Sequence, residues 1–273
     1  MPAPAHEIGP MLRRWRSSRG MSQLALAEQA EVSTRHISYL ENGKAQPSRE
    51  MVLVLASALD VPLRERNALL IAAGFAPVYR ESGITEPHME HVRRALDFML
   101  ERQEPFPAMV LNRGWDLVLT NAGAVRMLGH LPVDVQALGA KARNIMHMFF
   151  HPAGLRRYIV NWDEVARVAM ARLLREAQED PRDSDLHALI SALMTYPDMP
   201  QRYAEPSPAH ASQVMVEVQI RHEGVDLRLF TTIASLGTPV DITAQELRIE
   251  SYFPADERTE DWFRGTPASA LSV

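Results

Sequence analysis

Residues 22–43 constrain the fold more than any other stretch of the chain. Ser22 is a side chain suited to a helix start, and Gln23–Ala30 behind it carries Leu24, Ala27 and Ala30 at helical spacing. Only Glu31 and Val32 separate this segment from Ser33, a second cap residue. Thr34–Asn42 repeats the pattern with Ile37 and Leu40 facing in, and Gly43 stands where a helix ends on a left-handed residue. Two helices of about eight or nine residues, joined by a turn of about three, predict helix-turn-helix geometry. The corner is demanding. Ala30 must be small, Val32 must plug the angle, and the second helix must bury one face while leaving the other open.

The flanks supply three further helices. Met11–Arg19 carries Met11, Leu12 and Trp15 inward and stops at Gly20. Pro47-Ser48 opens Arg49–Leu59, with Met51, Leu53, Leu55 and Leu59 apolar, and Pro62 precedes a helix from Arg64 to Ala73 that ends at Gly74. Residues 1–75 are therefore expected to form an all-α, five-helix head. Charge separates this head from the rest. Residues 1–80 hold 10 Lys+Arg against 7 Asp+Glu, a net +3, whereas residues 81–273 hold 19 against 27, a net −8. A basic head on an acidic chain points to a polyanion partner.

The run MSQLALAEQAEVSTRHISYLENGK (residues 21–44), with its continuation to residue 77, resembles the XRE family of phage-repressor-like helix-turn-helix proteins. The match covers about residues 8–75. The resemblance implies roles position by position. Thr34, Arg35, Ser38 and Tyr39 would reach base edges in the major groove, with Arg35 suited to bond guanine bidentately. Gln23, Asn42, Lys44, Arg49 and Arg13 would meet backbone phosphates, with Arg14 a further candidate. Glu41 is expected to be structural, bonded to backbone or to an arginine of the head, and His36 to face solvent or pack locally. One departure is Glu31, where the family often has glycine; a side chain there costs about 1 kcal/mol if φ is positive.

Composition changes after residue 75. The stretch 76–104 reads as a linker, rich in proline at APVYRESGITEPHME, followed by a connecting helix His91–Gln103 with Val92, Leu96, Met99 and Leu100 in phase. Residues 105–256 mix strands and helices. Ala108–Asn112 and Trp115–Thr120 are expected strands around an Arg113-Gly114 turn. Helices follow over 121–128, 144–150, 155–160, 162–179 and 184–194. Alternating runs at Val214–Ile220 and Leu227–Ile233 flank a hairpin at Gly224, PSPAHAS (206–212) reads as a loop, and Leu247–Phe253 is a last strand. Two strands, helices, then three antiparallel strands is the order of a PAS-like α+β domain with an antiparallel sheet. Residues 257–273 are expected to be a C-terminal tail.

That order, with WDLVLTNAGA, FFHPAGLRRYIVNWDEVA and ITAQELRIESYFPADE, resembles the MmyB-like ligand-binding domain over about residues 105–255. The resemblance implies an apolar pocket for a fatty-acid-like molecule. On the residues alone, Met109, Trp115, Met146, Phe149, Phe150, Trp162 and Phe230 would line a cavity or simply pack a core of this size. Arg156 and Arg157 would meet an acidic headgroup or cover a surface.

Several classes are excluded. The absence of cysteine removes disulfides, thiol catalysis and Cys-based zinc sites. No run of about 18 apolar residues exists to span a membrane, and no secretory leader is evident, so a cytoplasmic location is expected. No nucleophile elbow, P-loop or dinucleotide fingerprint occurs, so no catalytic residue and no cofactor is expected. His147 and His151 are four apart, but Pro152 crowds the second, His88 and His91 stand at a linker edge, and Asp180, Asp183 and Asp185 lack a calcium-loop pattern. No metal site is expected. The combined expectation is a bacterial one-component regulator that binds double-stranded DNA as a homodimer on an inverted repeat and senses a small apolar ligand. An antitoxin-type protein, whose C-terminal half binds a protein partner, is the alternative. An enzyme in that half is a third reading that no motif supports.

Overall fold

The computed structural model describes residues 8–179, 183–197, 199 and 215–265. The described chain divides into two compact units. One runs to Met89 and includes Leu236–Gln245; the other holds Glu90–Ser235 and the chain from Glu246 onward.

The first unit contains α1 (Ile8–Ser18), α2 (Gln23–Gln29), α3 (Thr34–Glu41), α4 (Arg49–Ala58) and α5 (Leu63–Ala72). Three of them begin at serine caps. Ser22, Ser33 and Ser48 accept from the backbone N–H groups of Ala25, His36 and Met51 at 3.0, 3.2 and 3.2 Å. Leu12, Leu26, Ile37, Leu40, Leu55 and Leu69 fill the core. Leu24 corrects the expected stripe. It is 56% exposed, and Leu26 is buried beside Ala27 and Ala30 instead. Those three positions share a helical face that Leu24 leaves by more than a quarter turn. Between α2 and α3, Glu31 adopts φ +54, so the tight corner holds a non-glycine residue in the left-handed region. Where α1 crosses α3, a Cβ on Gly9 would lie 2.6 Å from the Leu40 carbonyl oxygen and 2.8 Å from that of Glu41. Only glycine permits that approach.

α5 starts differently. Its cap position is Pro62, which offers no side-chain acceptor. The N–H of Leu63 instead donates to Gln245 Oε1 at 2.7 Å, 182 residues away in sequence. The segment around Gln245 is held by further polar contacts. Asp241 is buried and accepts from Ser82 Oγ at 2.6 Å, and Ile242 donates its N–H to the Arg80 carbonyl at 2.8 Å. His88 Nε2 shares the Ser82 hydroxyl.

The second unit opens with α6 (Glu90–Gln103), β1 (Ala108–Leu111), β2 (Leu117–Thr120) and α7 (Ala122–Gly129). α8 (Val135–Leu138), α9 (Ile145–Phe150), α10 (Trp162–Glu179) and α11 (Ser184–Leu193) follow. β3 (Val218–His222), β4 (Val225–Ala234), α12 (Ile242–Glu246), β5 (Arg248–Pro254) and α13 (Glu257–Gly265) complete it, α12 lying mostly in the segment assigned to the first unit. The strands form an antiparallel sheet ordered β2-β1-β5-β4-β3. The helices between β2 and β3 bury their apolar faces with it in one core, including Met109, Phe150, Met170, Leu173 and Leu229. This is the PAS-like α+β arrangement expected from the element order.

Four details differ from the sequence reading. Trp115 and Asp116 belong to the turn before β2, because Trp115 takes φ +68 and leaves the strand conformation. The third strand starts at Val218, after Val216; Val214 and the PSPAHAS stretch lie outside the described residues, as does Asp180. Leu155–Tyr158 is a 3-10 turn rather than a helix through Val160, and Ile159 bridges to Ile220. Finally, residues 257–265 are not a tail: α13 buries Phe263, whose ring meets Phe106 edge-on at 6.0 Å.

Candidate nucleic-acid interface and ligand cavity

The polar face of α3 is open, and its base is anchored. Arg35 is exposed, and its guanidinium both donates to Tyr39 Oη at 2.8 and 3.0 Å and lies 5.1 Å from the centre of that ring. The two side chains one turn apart therefore hold each other in place. Thr34 and Ser38 are half-buried on the same helix.

At the C-terminal end of α3, Glu41 is the hub of the head. It is 4% exposed. It accepts from Arg16 at 2.6 and 2.9 Å, from Gln23 Nε2 at 2.8 Å and from Arg13 Nε at 3.4 Å. Burial pushes the carboxyl up. Hydrogen bonds from Arg16, Gln23 and Arg13, with the Arg16 charge, outweigh that and hold it below the ordinary glutamate range. Arg13 also donates to Asn42 Oδ1 at 2.7 Å, and Asn42 donates back to the Ser38 carbonyl at 2.7 Å. Of the residues expected at phosphates, Arg13, Gln23 and Asn42 thus join one network that ties α1, α2 and α3 together. Lys44 and Arg49 are exposed, on the loop after α3 and at the start of α4.

The second unit holds a partly open cavity of about 170 Å³ between the sheet and α7, α9 and α10. Trp115, Met146 and Phe149 line it; Met109, Phe150, Trp162 and Phe230 do not. Met109 and Phe150 are fully buried in the core, Trp162 packs on Phe149 with ring centres 4.7 Å apart, and Phe230 stacks on Phe253 at 5.2 Å. Most of the wall is apolar, but one end is not. Arg172 of α10, Thr231 of β4, and Glu250 and Tyr252 of β5 face the cavity together. Strand register explains the grouping: Thr231 pairs with Tyr252 and Ile233 with Glu250, which puts all four on one face.

Charge around this end is balanced by sharing. Glu176 accepts from Arg172 Nε at 3.1 Å, pairs with Arg248 at 3.0 Å, and takes the indole N–H of Trp115 at 3.3 Å. The Trp115 ring sits 5.0 Å from the Arg172 guanidinium and 4.5 Å from that of Arg248. Two cation–π contacts and one hydrogen bond therefore fix an indole whose own backbone is strained. Glu250 accepts from the Tyr252 hydroxyl, and burial pushes its carboxyl up to about 7 against the pull of Arg172 and Arg248. Arg156 and Arg157 turn to other work: they donate to the carbonyls of Pro197 and Pro132 at 2.9 and 2.6 Å.

The family model for the MmyB-like transcription regulator ligand binding domain matches residues 92–265, and a helix-turn-helix domain model matches residues 7–69. The chain belongs to the MmyB-like transcription regulators. Within this regulator the head is similar to the transcriptional regulator ClgR of Mycobacterium tuberculosis, at 34% identity over 67 residues, which is 24% of this chain and 57% of that protein. The regulator thus spans little more than half the length of these curated relatives. Among solved structures, the restriction-modification controller protein C.AhdI from Aeromonas hydrophila is 32% identical over 23% of the regulator and 94% of that chain, with a TM-score of 0.22. The clp gene regulator ClgR from C. glutamicum is 30% identical over 27% of the regulator and 91% of that chain, with a TM-score of 0.24.

Sequence reasoning missed the polar end of the regulator's cavity. Arg172, Thr231, Glu250 and Tyr252 alternate with apolar residues and read as the solvent face of their elements. The signal was Tyr252 beside Phe253: large apolar or aromatic side chains on both faces mean that β5 is covered on both sides.

Proposed function

We propose that this protein is a one-component transcription regulator of the cytoplasm. It binds double-stranded DNA as a homodimer on an inverted repeat and senses a small apolar ligand in the cavity of its second unit. The observation that carries the reading is the α3 surface: an exposed Arg35–Tyr39 pair on a helix whose base is locked to α1 and α2 through Glu41. A guanidinium held in one orientation loses little entropy on meeting a guanine edge. Thr34 and Ser38 flank it as further base contacts, and Lys44 and Arg49 supply charge for phosphates. Arg13, Gln23 and Asn42 position α3, and Arg13 keeps donors free for a phosphate oxygen.

Half-sites about 10 bp apart, or a multiple of that, match two such helices in successive major grooves. The test is selection of bound DNA from a random pool at fixed salt, before and after delipidation. An enriched inverted repeat is expected, and Arg35→Ala weakens binding to it by about 1–3 kcal/mol while relaxing one base position. Unchanged affinity in that variant refutes the placement of α3. No enrichment in either state transfers support to the antitoxin-type reading.

A further inference from the structure

The donors of Arg35 are divided between two edges of its guanidinium. The group is planar, and its N–H bonds point out in fixed directions. The Nε–H and the nearer Nη2–H leave from one side, and both end on Tyr39 Oη, at 3.0 and 2.8 Å. The other edge, made by Nη1 and the second Nη2–H, has no partner among the described residues.

This division matters for reading a base. Either edge of a free guanidinium presents a pair of parallel N–H groups that fits the O6 and N7 acceptors of guanine. An arginine with both edges open meets the same guanine in two ways, or swings to a phosphate and reads nothing. Here the side edge is taken. Tyr39 stands one turn after Arg35 on α3, 36% exposed, and its backbone carbonyl accepts from the Lys44 N–H at 2.8 Å at the end of the helix. With Arg35 donating twice to its oxygen, the Tyr39 hydroxyl has only its own proton left to give.

We propose that Tyr39 is a positioning residue, which occupies the side edge of Arg35 and dedicates the end edge, Nη1 with Nη2, to one guanine. The inference rests on the reading of α3 as the helix that meets base edges. It gives Tyr39 a different part from the base contact that the resemblance implies: Arg35 reads the base, and Tyr39 decides how.

The test uses the full chain and the DNA site that the parent protein selects from a random pool. Affinity is measured by fluorescence anisotropy at two salt concentrations for the parent, Arg35→Ala and Tyr39→Phe. The DNAs are the selected site, the site with each other base pair at the guanine that depends on Arg35, the site with 7-deazaguanine there, and an unrelated duplex. In the parent, 7-deazaguanine lacks one of the two acceptors and is expected to weaken binding about fivefold. Tyr39→Phe keeps the ring and the Arg35 charge and removes only the oxygen that holds the side edge. Its preference for guanine and its 7-deazaguanine penalty are both expected to fall to about twofold or less, while the salt slope and the affinity for unrelated DNA stay those of the parent. A Tyr39→Phe protein that keeps the parent's preference and penalty overturns the inference while leaving Arg35 as the reader. So does one that loses affinity equally for every duplex, because that is the mark of a loosened helix. So does a parent protein indifferent to 7-deazaguanine, whatever the variant does. If no guanine depends on Arg35, the reading of α3 itself fails and takes the inference with it.

Discussion

Replacing Glu41 by glutamine tests the claim that the head is organised around one buried carboxylate. The variant keeps the volume and one acceptor oxygen but removes the charge. Arg13 contributes little to the loss, since its side chain is half exposed and its bond to Glu41 is 3.4 Å long; an exposed pair is worth less than about 1 kcal/mol. Arg16 is different. Its side chain is 14% exposed and makes bonds of 2.6 and 2.9 Å to a carboxylate that is itself enclosed. A hydrogen bond to a charged partner contributes roughly 1.5–3 kcal/mol, and glutamine retains part of it, so the expected loss is about 2 kcal/mol. The assay is hydrogen exchange at the α1 and α3 amides of the full chain, which reads the head separately from the second unit. A loss of this size speeds exchange about 30-fold at pH 7. The pH dependence has a definite sign. The folded-state carboxyl is held below its unfolded value, so its contribution is complete above the ordinary glutamate range and is lost as pH falls through the folded value. The gap between parent and variant is therefore full at pH 7 and shrinks progressively below about pH 4. Exchange within about twofold of the parent at pH 7 would refute the reasoning, because it would mean that the network decorates the helices without holding them.

Two further outcomes follow from the same packing. Gly9→Ala places a methyl group against the backbone of Leu40 and Glu41, so α3 must move; a loss of about 1–3 kcal/mol is expected in thermal unfolding, together with weaker binding to the selected DNA, and full retention of both refutes the α1–α3 contact. Asp241→Ala leaves the buried Ser82 hydroxyl without its acid partner, and a loss of about 1–3 kcal/mol should appear as faster exchange across 236–245 and at the start of α5. Unchanged protection there would show that the segment is held by its apolar contacts alone.

The head was legible because its signals are local. Ser22, Ser33 and Ser48 announce helix starts, Gly43 announces an end, and the apolar positions repeat at one period. The strain at Glu31 was expected only through the resemblance, which puts glycine at that corner. Leu24 misled because a helix of seven residues gives its stripe too few turns to define a direction. In the second unit, strand and helix order were legible and the site was not. Met109, Phe150 and Trp162 are as large and apolar as Met146 and Phe149, and only the three-dimensional arrangement decides which of them borders empty space. The charged members of the cavity wall were hidden for the opposite reason. Arg172 and Glu250 line it with Glu176 and Arg248 close by, and sequence gives no sign that α10 and β5 bring such residues together.

The non-contiguous first unit shows the same limit. A composition change marks where a chain leaves a domain, but it does not mark a later return. Here the chain passes between the units after Met89, after Ser235 and after Gln245. The returning segment brings Gln245 to the uncapped start of α5 and Asp241 to Ser82, and so completes the helical unit. It is also the direct connection between β4, which gives Thr231 and Ile233 to the cavity wall, and β5, which gives Glu250 and Tyr252.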